Sequence, residues 1–326
     1  MSGLAPYVHA MGRGPSKGRN LTREEAEHAL SLILAGDAAP EATGALFMLM
    51  RYRGETAAEI AGFVSALRAQ LVGWDALPVD LDWPSYAAGR SRGLPWFLLA
   101  ARLVAQAGHR VLLHGWNSHQ SGHAQVRGAL DRIGIPLCTS ANEAKRAIAA
   151  DGLAYVPLEA LDPRALDLLR LRDVLGLRSP INTALRALNP GRAAASVQGV
   201  FHPTYRALQA EATALLGDTR LGVIKGGGGE FERHPGKDVT LWHTKGTSLL
   251  PSVAAVSAQR LADAGTDPAA LAALWFGQLD HPFAEAIAIG TAAAALQTLD
   301  PTRDTAGAED HARTLWARRP VAATAA

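Results

Sequence analysis

The sequence holds one cysteine, Cys138, in 326 residues. That excludes an internal disulfide and any cysteine-rich zinc site, and in its apolar surroundings Cys138 reads as a buried, inert thiol. No apolar run approaches the ~20 residues of a membrane span, and no basic-then-apolar leader opens the chain. A cytoplasmic protein with no membrane partner is therefore expected. Strong charge of one sign is also missing: 32 Lys and Arg against 30 Asp and Glu leave a net charge of +2. Any preference for phosphate or nucleic acid must then come from local clustering. There is no internal repeat. What remains, 48% apolar and 19% charged, is the composition of a globular chain long enough for two domains.

The informative shortage is local. Residues 86 to 133 contain six arginines and four histidines but a single acid, Asp131. This stretch opens with the turn Gly89-Arg90-Ser91-Arg92-Gly93. Pro95 then stands at the first position of a helix expected to reach Ala107, apolar almost all round and so buried, with Gly108 as its stop. The strand Val111-Leu112-Leu113 delivers a second polar loop, His114 to His123. Two polar turns thus reach the same edge of a parallel sheet, where open α/β proteins bind ligands. A second acid-free segment, Arg178 to Arg206, carries four arginines.

The remaining chain supplies the frame. Residues 1 to 20 read as an arm bearing Arg13, Lys17 and Arg19. The capping boxes Thr22-x-x-Glu25 and Thr56-x-x-Glu59 open two helices, and Pro40 opens a third between them. Their apolar stripes, with Phe47, Met48 and Phe63, exceed what one small subdomain can cover, so a homodimer through these helices is expected. From Val79 strands and helices alternate, and the segment after Trp242 reads as mainly alanine-rich helix. The expected fold is α/β: a small all-helical N-terminal subdomain (1–75, joined by helices near 172–190) and a larger α/β domain (76–326) with a mostly parallel central sheet.

The order of motifs resembles the anthranilate phosphoribosyltransferase-like family and the related pyrimidine-nucleoside phosphorylases. His114-Gly115 with Asn117 resembles the family's His-Gly-Asn loop. Arg178-Ser-x-x-Asn182 followed by Leu188-Asn189-Pro190 resembles its Arg-Thr-x-x-Asn…Leu-x-Asn-Pro segment, and Gly199-Val-Phe-His-Pro203 resembles the strand-to-helix step that follows. Three positions depart. The Gly-Thr-Gly-Gly-Asp loop that binds the donor's pyrophosphate is replaced by Tyr86-Ala-Ala-Gly-Arg-Ser-Arg-Gly93, so side chains fill space that glycines leave open to backbone amides. The lysine before His-Gly is Leu113. The magnesium-binding Asp-Glu pair becomes Phe231-Glu232, or Glu230 with a one-residue slip. The pattern resembles a divergent branch that binds nucleic acid and lacks the parent activity.

Two functions follow. The first is sequence-independent binding of single-stranded DNA or RNA on a degenerate phosphoribosyltransferase scaffold. The alternative is an active phosphoribosyl- or glycosyl-transferring enzyme using phosphoribosyl pyrophosphate or a nucleoside with a different acceptor. A purely structural role has no positive sign. The phosphate-binding candidates are Gly89, Arg90, Ser91, Arg92, Gly93, His114, Trp116, Asn117, Ser118, His119, His123, Arg178, Arg186, Lys225, Gly226, Gly227 and Arg233. Gly226 to Gly229 read equally as a phosphate cradle or as a hairpin turn. Trp116 is the candidate for stacking on a base, and Arg178 with Arg186 lie on one side of a helix. The histidines, without a His-Glu-x-x-His helix, read as hydrogen-bonding groups rather than zinc ligands. No cofactor is assigned with certainty; Mg2+ is expected only with phosphoribosyl pyrophosphate, held by Glu230 and Glu232.

Overall fold

The computed structural model describes residues 3–321 apart from 15, 88–92, 117–124, 219, 245 and 261–265. Four helices open the chain: α1 (Ala5–Gly12), α2 (Arg23–Ala35), α3 (Pro40–Arg53) and α4 (Ala57–Ala69). Both capping boxes are formed, each threonine accepting from the glutamate amide and each glutamate from the cap's own amide. Glu59 is fully buried and accepts from Leu21 N at 2.9 Å as well, so its box also ties α4 to the segment ahead of α2. Helix α1 lies in the stretch read as an arm; it has a proline in its first turn and packs on α3. Phe47 and Phe63 need no outside partner. They are fully buried within the chain, with ring centroids 5.9 Å apart.

The chain continues with β1 (Leu81–Ser85), α5 (Phe97–Gln106), β2 (Val111–Gly115), α6 (Arg127–Leu130), α7 (Ala141–Asp151), β3 (Leu153–Pro157), α8 (Leu158–Leu161), α9 (Pro163–Leu175) and α10 (Pro180–Arg186). It ends with β4 (Ala195–Val200), α11 (Tyr205–Leu215), β5 (Arg220–Lys225), β6 (Val239–His243), β7 (Gly246–Leu250), α12 (Ala269–Trp275), α13 (Pro282–Leu299) and α14 (Thr305–Ala317). The strands form one sheet in the order β3-β2-β1-β4-β5-β6-β7, with β1 to β5 parallel and the last two antiparallel. Strand β7 replaces the helix expected there. It is a largely exposed edge strand with little apolar alternation to announce it.

Side chains alternate between two cores, as a sheet covered on both faces requires. Val111 and Leu113 of β2 join a core made with α5, α12, α13 and α14, while Leu112 joins the core made with α1–α4 and α7–α10. Helix α13 is long and apolar enough to cross a membrane by length and composition, but 83% of that window is buried inside the molecule. It is the central helix of the first core.

From β1 the chain moves outward to β2 and β3, then resumes at β4 on the other side of β1. The C-terminal ends of β1 and β4 are therefore the topological switch point, where open α/β sheets leave a crevice. The ladder between them holds only Leu81↔Ala195 and Asp82↔Ser196. It stops ahead of Pro84, which has no N–H to contribute.

Candidate functional site between the helical domain and the sheet edge

The loop after β5 fills the gap between β1 and β4. A Cβ on Gly199 would lie 2.0 Å from the carbonyl carbon of Glu230, and one on Gly226 would lie 1.7 Å from the Glu230 oxygen. Glycine is required at both positions by direct backbone contact. The turn closes on itself: Gly226 N donates to Val200 O (3.2 Å), Gly227 N to Glu232 O (2.9 Å) and Gly229 N to Gly226 O (3.1 Å). The amides of Gly226 and Gly227, singled out above as a phosphate cradle or a hairpin turn, both donate to carbonyls of the chain. Lys225 stands exposed at the end of β5.

Both loop carboxylates are turned inward. Glu230 is buried, and its Oε1 accepts from Ser85 Oγ at 2.9 Å and from Ala87 N at 3.2 Å. Glu232, also buried, accepts from Phe97 N at 3.0 Å, the start of α5, where the helix dipole favours a carboxylate. Phe231 stands where the resemblance implies an aspartate and packs edge-on against Trp83, ring centroids 5.5 Å apart. Magnesium at such sites is held by one or two carboxylates together with the ligand's phosphates; here the Phe231 ring takes the place of one carboxylate, and Glu230 and Glu232 each accept hydrogen bonds from the chain itself. The donor set does not fit a resident magnesium ion.

His114 is not a surface ligand. It is fully buried, with Nδ1 2.9 Å from the Tyr86 hydroxyl and Nε2 3.0 Å from Asp82 Oδ1. Neither of the two atoms in that second contact has a hydrogen-bond partner among the described residues. Ser196 Oγ donates to the other Asp82 oxygen at 2.9 Å. Burial pushes the Tyr86 hydroxyl well above the usual phenol range. Trp116 is half-buried against the second core, and Gly93 is buried with a left-handed φ of 70°. Gly89, Arg90, Ser91, Arg92, Asn117, Ser118, His119 and His123 lie outside the described residues.

Arg178 and Arg186 do come together, though not on one helix face: Arg178 precedes α10 and Arg186 ends it. They line a cleft of about 290 Å³ with Arg51, Arg172, Glu55 and Tyr205, walled on the sheet side by Phe201 and His202. Arg51 Nη1 donates to the Tyr205 hydroxyl at 2.7 Å, and that hydroxyl donates to Glu55 at 3.2 Å. Burial, then the nearby charges of Arg172 and Arg51, lower the Arg178 pKa. Four arginines against one glutamate make the cleft strongly electropositive. Ser179, 4% exposed, lines it with a hydroxyl that has no hydrogen-bond partner among the described residues.

Arg233, a phosphate-binding candidate from the sequence, does not line this cleft. It is 1% exposed, pairs with Glu309 at 2.6 Å, bonds to Pro251 O, and ties the loop to α14. The site residues missed from the sequence are Arg51 and Arg172, each in the last turn of its helix. There a cation compensates the helix dipole and draws no notice. Glu55 and Tyr205 have no local signal either.

Residues 11–71 match the family described as "Glycosyl transferase family, helical bundle domain". The anthranilate phosphoribosyltransferase of Bacillus caldotenax is 30% identical over 213 residues, 65% of this chain and 87% of that protein. That of Methylocella silvestris is 31% identical over 229 residues, 70% of this chain but only 64% of that protein. The crystal structure of the Thermus thermophilus enzyme matches 97% of this chain and 95% of its own, with a TM-score of 0.78 at 24% identity. The Saccharomyces cerevisiae enzyme, solved in complex with PRPP and Mg, matches with a TM-score of 0.75 over 96% of this chain and 94% of its own at 16% identity. With the helical bundle, the sheet order and these relatives in agreement, the chain belongs to the anthranilate phosphoribosyltransferase-like family.

Proposed function

We propose that the chain binds the phosphorylated ribose of a phosphoribosyl donor in the arginine cleft and transfers it to an acceptor other than anthranilate. The observation that carries this reading is the convergence of Arg51, Arg172, Arg178 and Arg186 on one cleft of about 290 Å³ at the switch point of the sheet. Such a volume suits a small molecule, and relatives that act as phosphoribosyltransferases supply the donor class. The donor loop and the metal carboxylates both depart from the family pattern, so transfer at the relatives' ordinary rate is not expected, with anthranilate or with any other acceptor. In such transfers the catalyst mainly stabilises the departing diphosphate, and loss of one such element costs on the order of 10²-fold in rate. The test is pyrophosphate release from phosphoribosyl pyrophosphate across a panel of aromatic and heterocyclic acceptors. Turnover with one of these and none with anthranilate supports the reading. Turnover with anthranilate at an ordinary enzyme rate overturns it.

A second reading, single-stranded nucleic acid across the same mouth, is favoured by the Phe201 ring, which is 51% exposed on the wall of the cleft. An exposed aromatic beside arginines is a stacking platform. Retention of single-stranded DNA that falls steeply with salt, without heat from phosphoribosyl pyrophosphate, would put this reading first. In that case Arg90→Ala with Arg92→Ala should reduce the salt slope by roughly one to two units.

A further inference from the structure

Arg186 is 7% exposed, yet it lines the cleft. Its Nη1 donates to Asn182 Oδ1 at 2.9 Å and its Nη2 to Tyr86 O at 3.1 Å. These acceptors are neutral, and among the described residues no carboxylate lies within 4.0 Å ion-pair distance of the guanidinium. A buried charge left without a counter-charge is strongly unfavourable. Burial accordingly pushes its pKa down to about 10, opposed by the field of Glu230 and reinforced by the charge of Arg178.

The position of this uncompensated charge is informative. Tyr86 O, which receives it, belongs to the residue ahead of Ala87, whose amide is held by Glu230. A Cβ on Gly229 would lie 3.7 Å from Arg186 Nη2. The guanidinium therefore sits where the end of β1, α10 and the loop after β5 meet, within the field of Glu230. We propose that Arg186 is the built-in cation of the ligand site: it takes the charge-neutralising part of a divalent metal, and the ligand's phosphate completes its ion pair without Mg2+. This rests on the reading of the cleft as a phosphate-bearing ligand site. A planar, permanently charged fork suits phosphate oxygens as a bidentate partner.

The experiment is calorimetric titration of the full chain with phosphoribosyl pyrophosphate, and separately with inorganic pyrophosphate, in EDTA and in millimolar Mg2+. Binding in EDTA that Mg2+ does not tighten is expected. Arg186→Met should weaken binding by about 10- to 100-fold without lowering the melting temperature of the ligand-free protein. Tyr86 O keeps its 3.3 Å bond from Asn182 Nδ2, while the uncompensated charge is gone. A purely structural arginine would instead melt early on substitution. Tightening of ten-fold or more by Mg2+, or unchanged affinity in a folded Arg186→Met, overturns the proposal and leaves the donor reading standing. No binding in either buffer overturns both. Should Arg186→Met fail to fold, the metal comparison on the parent chain decides alone.

Discussion

Glu230 accepts a hydrogen bond from Ser85 at 2.9 Å across 145 residues of sequence, and this contact fixes the loop after β5 against the end of β1. It converts a position expected to bind metal into a brace for the mouth of the cleft.

Replacing Glu230 by alanine should therefore destabilise the fold. The Ser85 hydroxyl and the Ala87 amide would each be left buried without this acceptor, at about 1–3 kcal/mol per donor. A urea titration of Glu230→Ala against the parent measures the loss, and Mg2+ should leave the midpoint of the parent unmoved. A Mg2+-dependent rise in that midpoint would make Glu230 a metal ligand instead.

Gly199→Ala probes the same brace from the strand side. Its new methyl would meet the Glu230 backbone at 2.0 Å, and overpacking against backbone costs about 1–3 kcal/mol or more. Thermal melting should show a clear drop; a neutral result would contradict the placement of the loop over β4.

Acid should remove one identifiable contribution to stability. Arg19 bonds both oxygens of Glu25 at 2.6 Å, and this hydrogen bonding holds the carboxyl at about 2, below its ordinary 4.5. Because the folded pKa is depressed, the contribution is complete above the ordinary carboxylate range and is lost as pH falls toward 2. The stability difference between the parent and Glu25→Gln should be present at neutral pH and vanish by about pH 2. A difference independent of pH would exclude the ion pair as its source.

Two copies are expected to pair through the N-terminal helices, on the family resemblance rather than on Phe47 and Phe63, which the chain buries by itself. Light scattering at micromolar concentration should return twice the mass of the chain; the single mass would contradict pairing.

The architecture was legible where local chemistry is strong. Thr22 with Glu25 and Thr56 with Glu59 announced two helices, and the apolar run at Val111 announced a strand. Strand β1 was harder, since Asp82 and Pro84 argue against a central strand; its aspartate is accommodated only because Ser196 and His114 meet it from the neighbouring strands. At the site, Arg178 and Arg186 were readable from an acid-free segment. Arg51 and Arg172 were not, because α3 and α9 bring them to the cleft only through tertiary packing. Arg233 was grouped with the site by its proximity to Glu230 and Glu232, but the inward turn of the backbone just beyond them, where Arg233 N bonds to Thr291 at 2.9 Å, has no local signal.

The most direct measurement is a crystal structure of the full chain grown with millimolar phosphoribosyl pyrophosphate. Phosphate oxygens within hydrogen-bond distance of Arg178 and Arg186, inside the cleft lined by Tyr205 and Phe201, are the predicted result. Donor density anywhere else, or an empty cleft at saturating donor, would contradict the account.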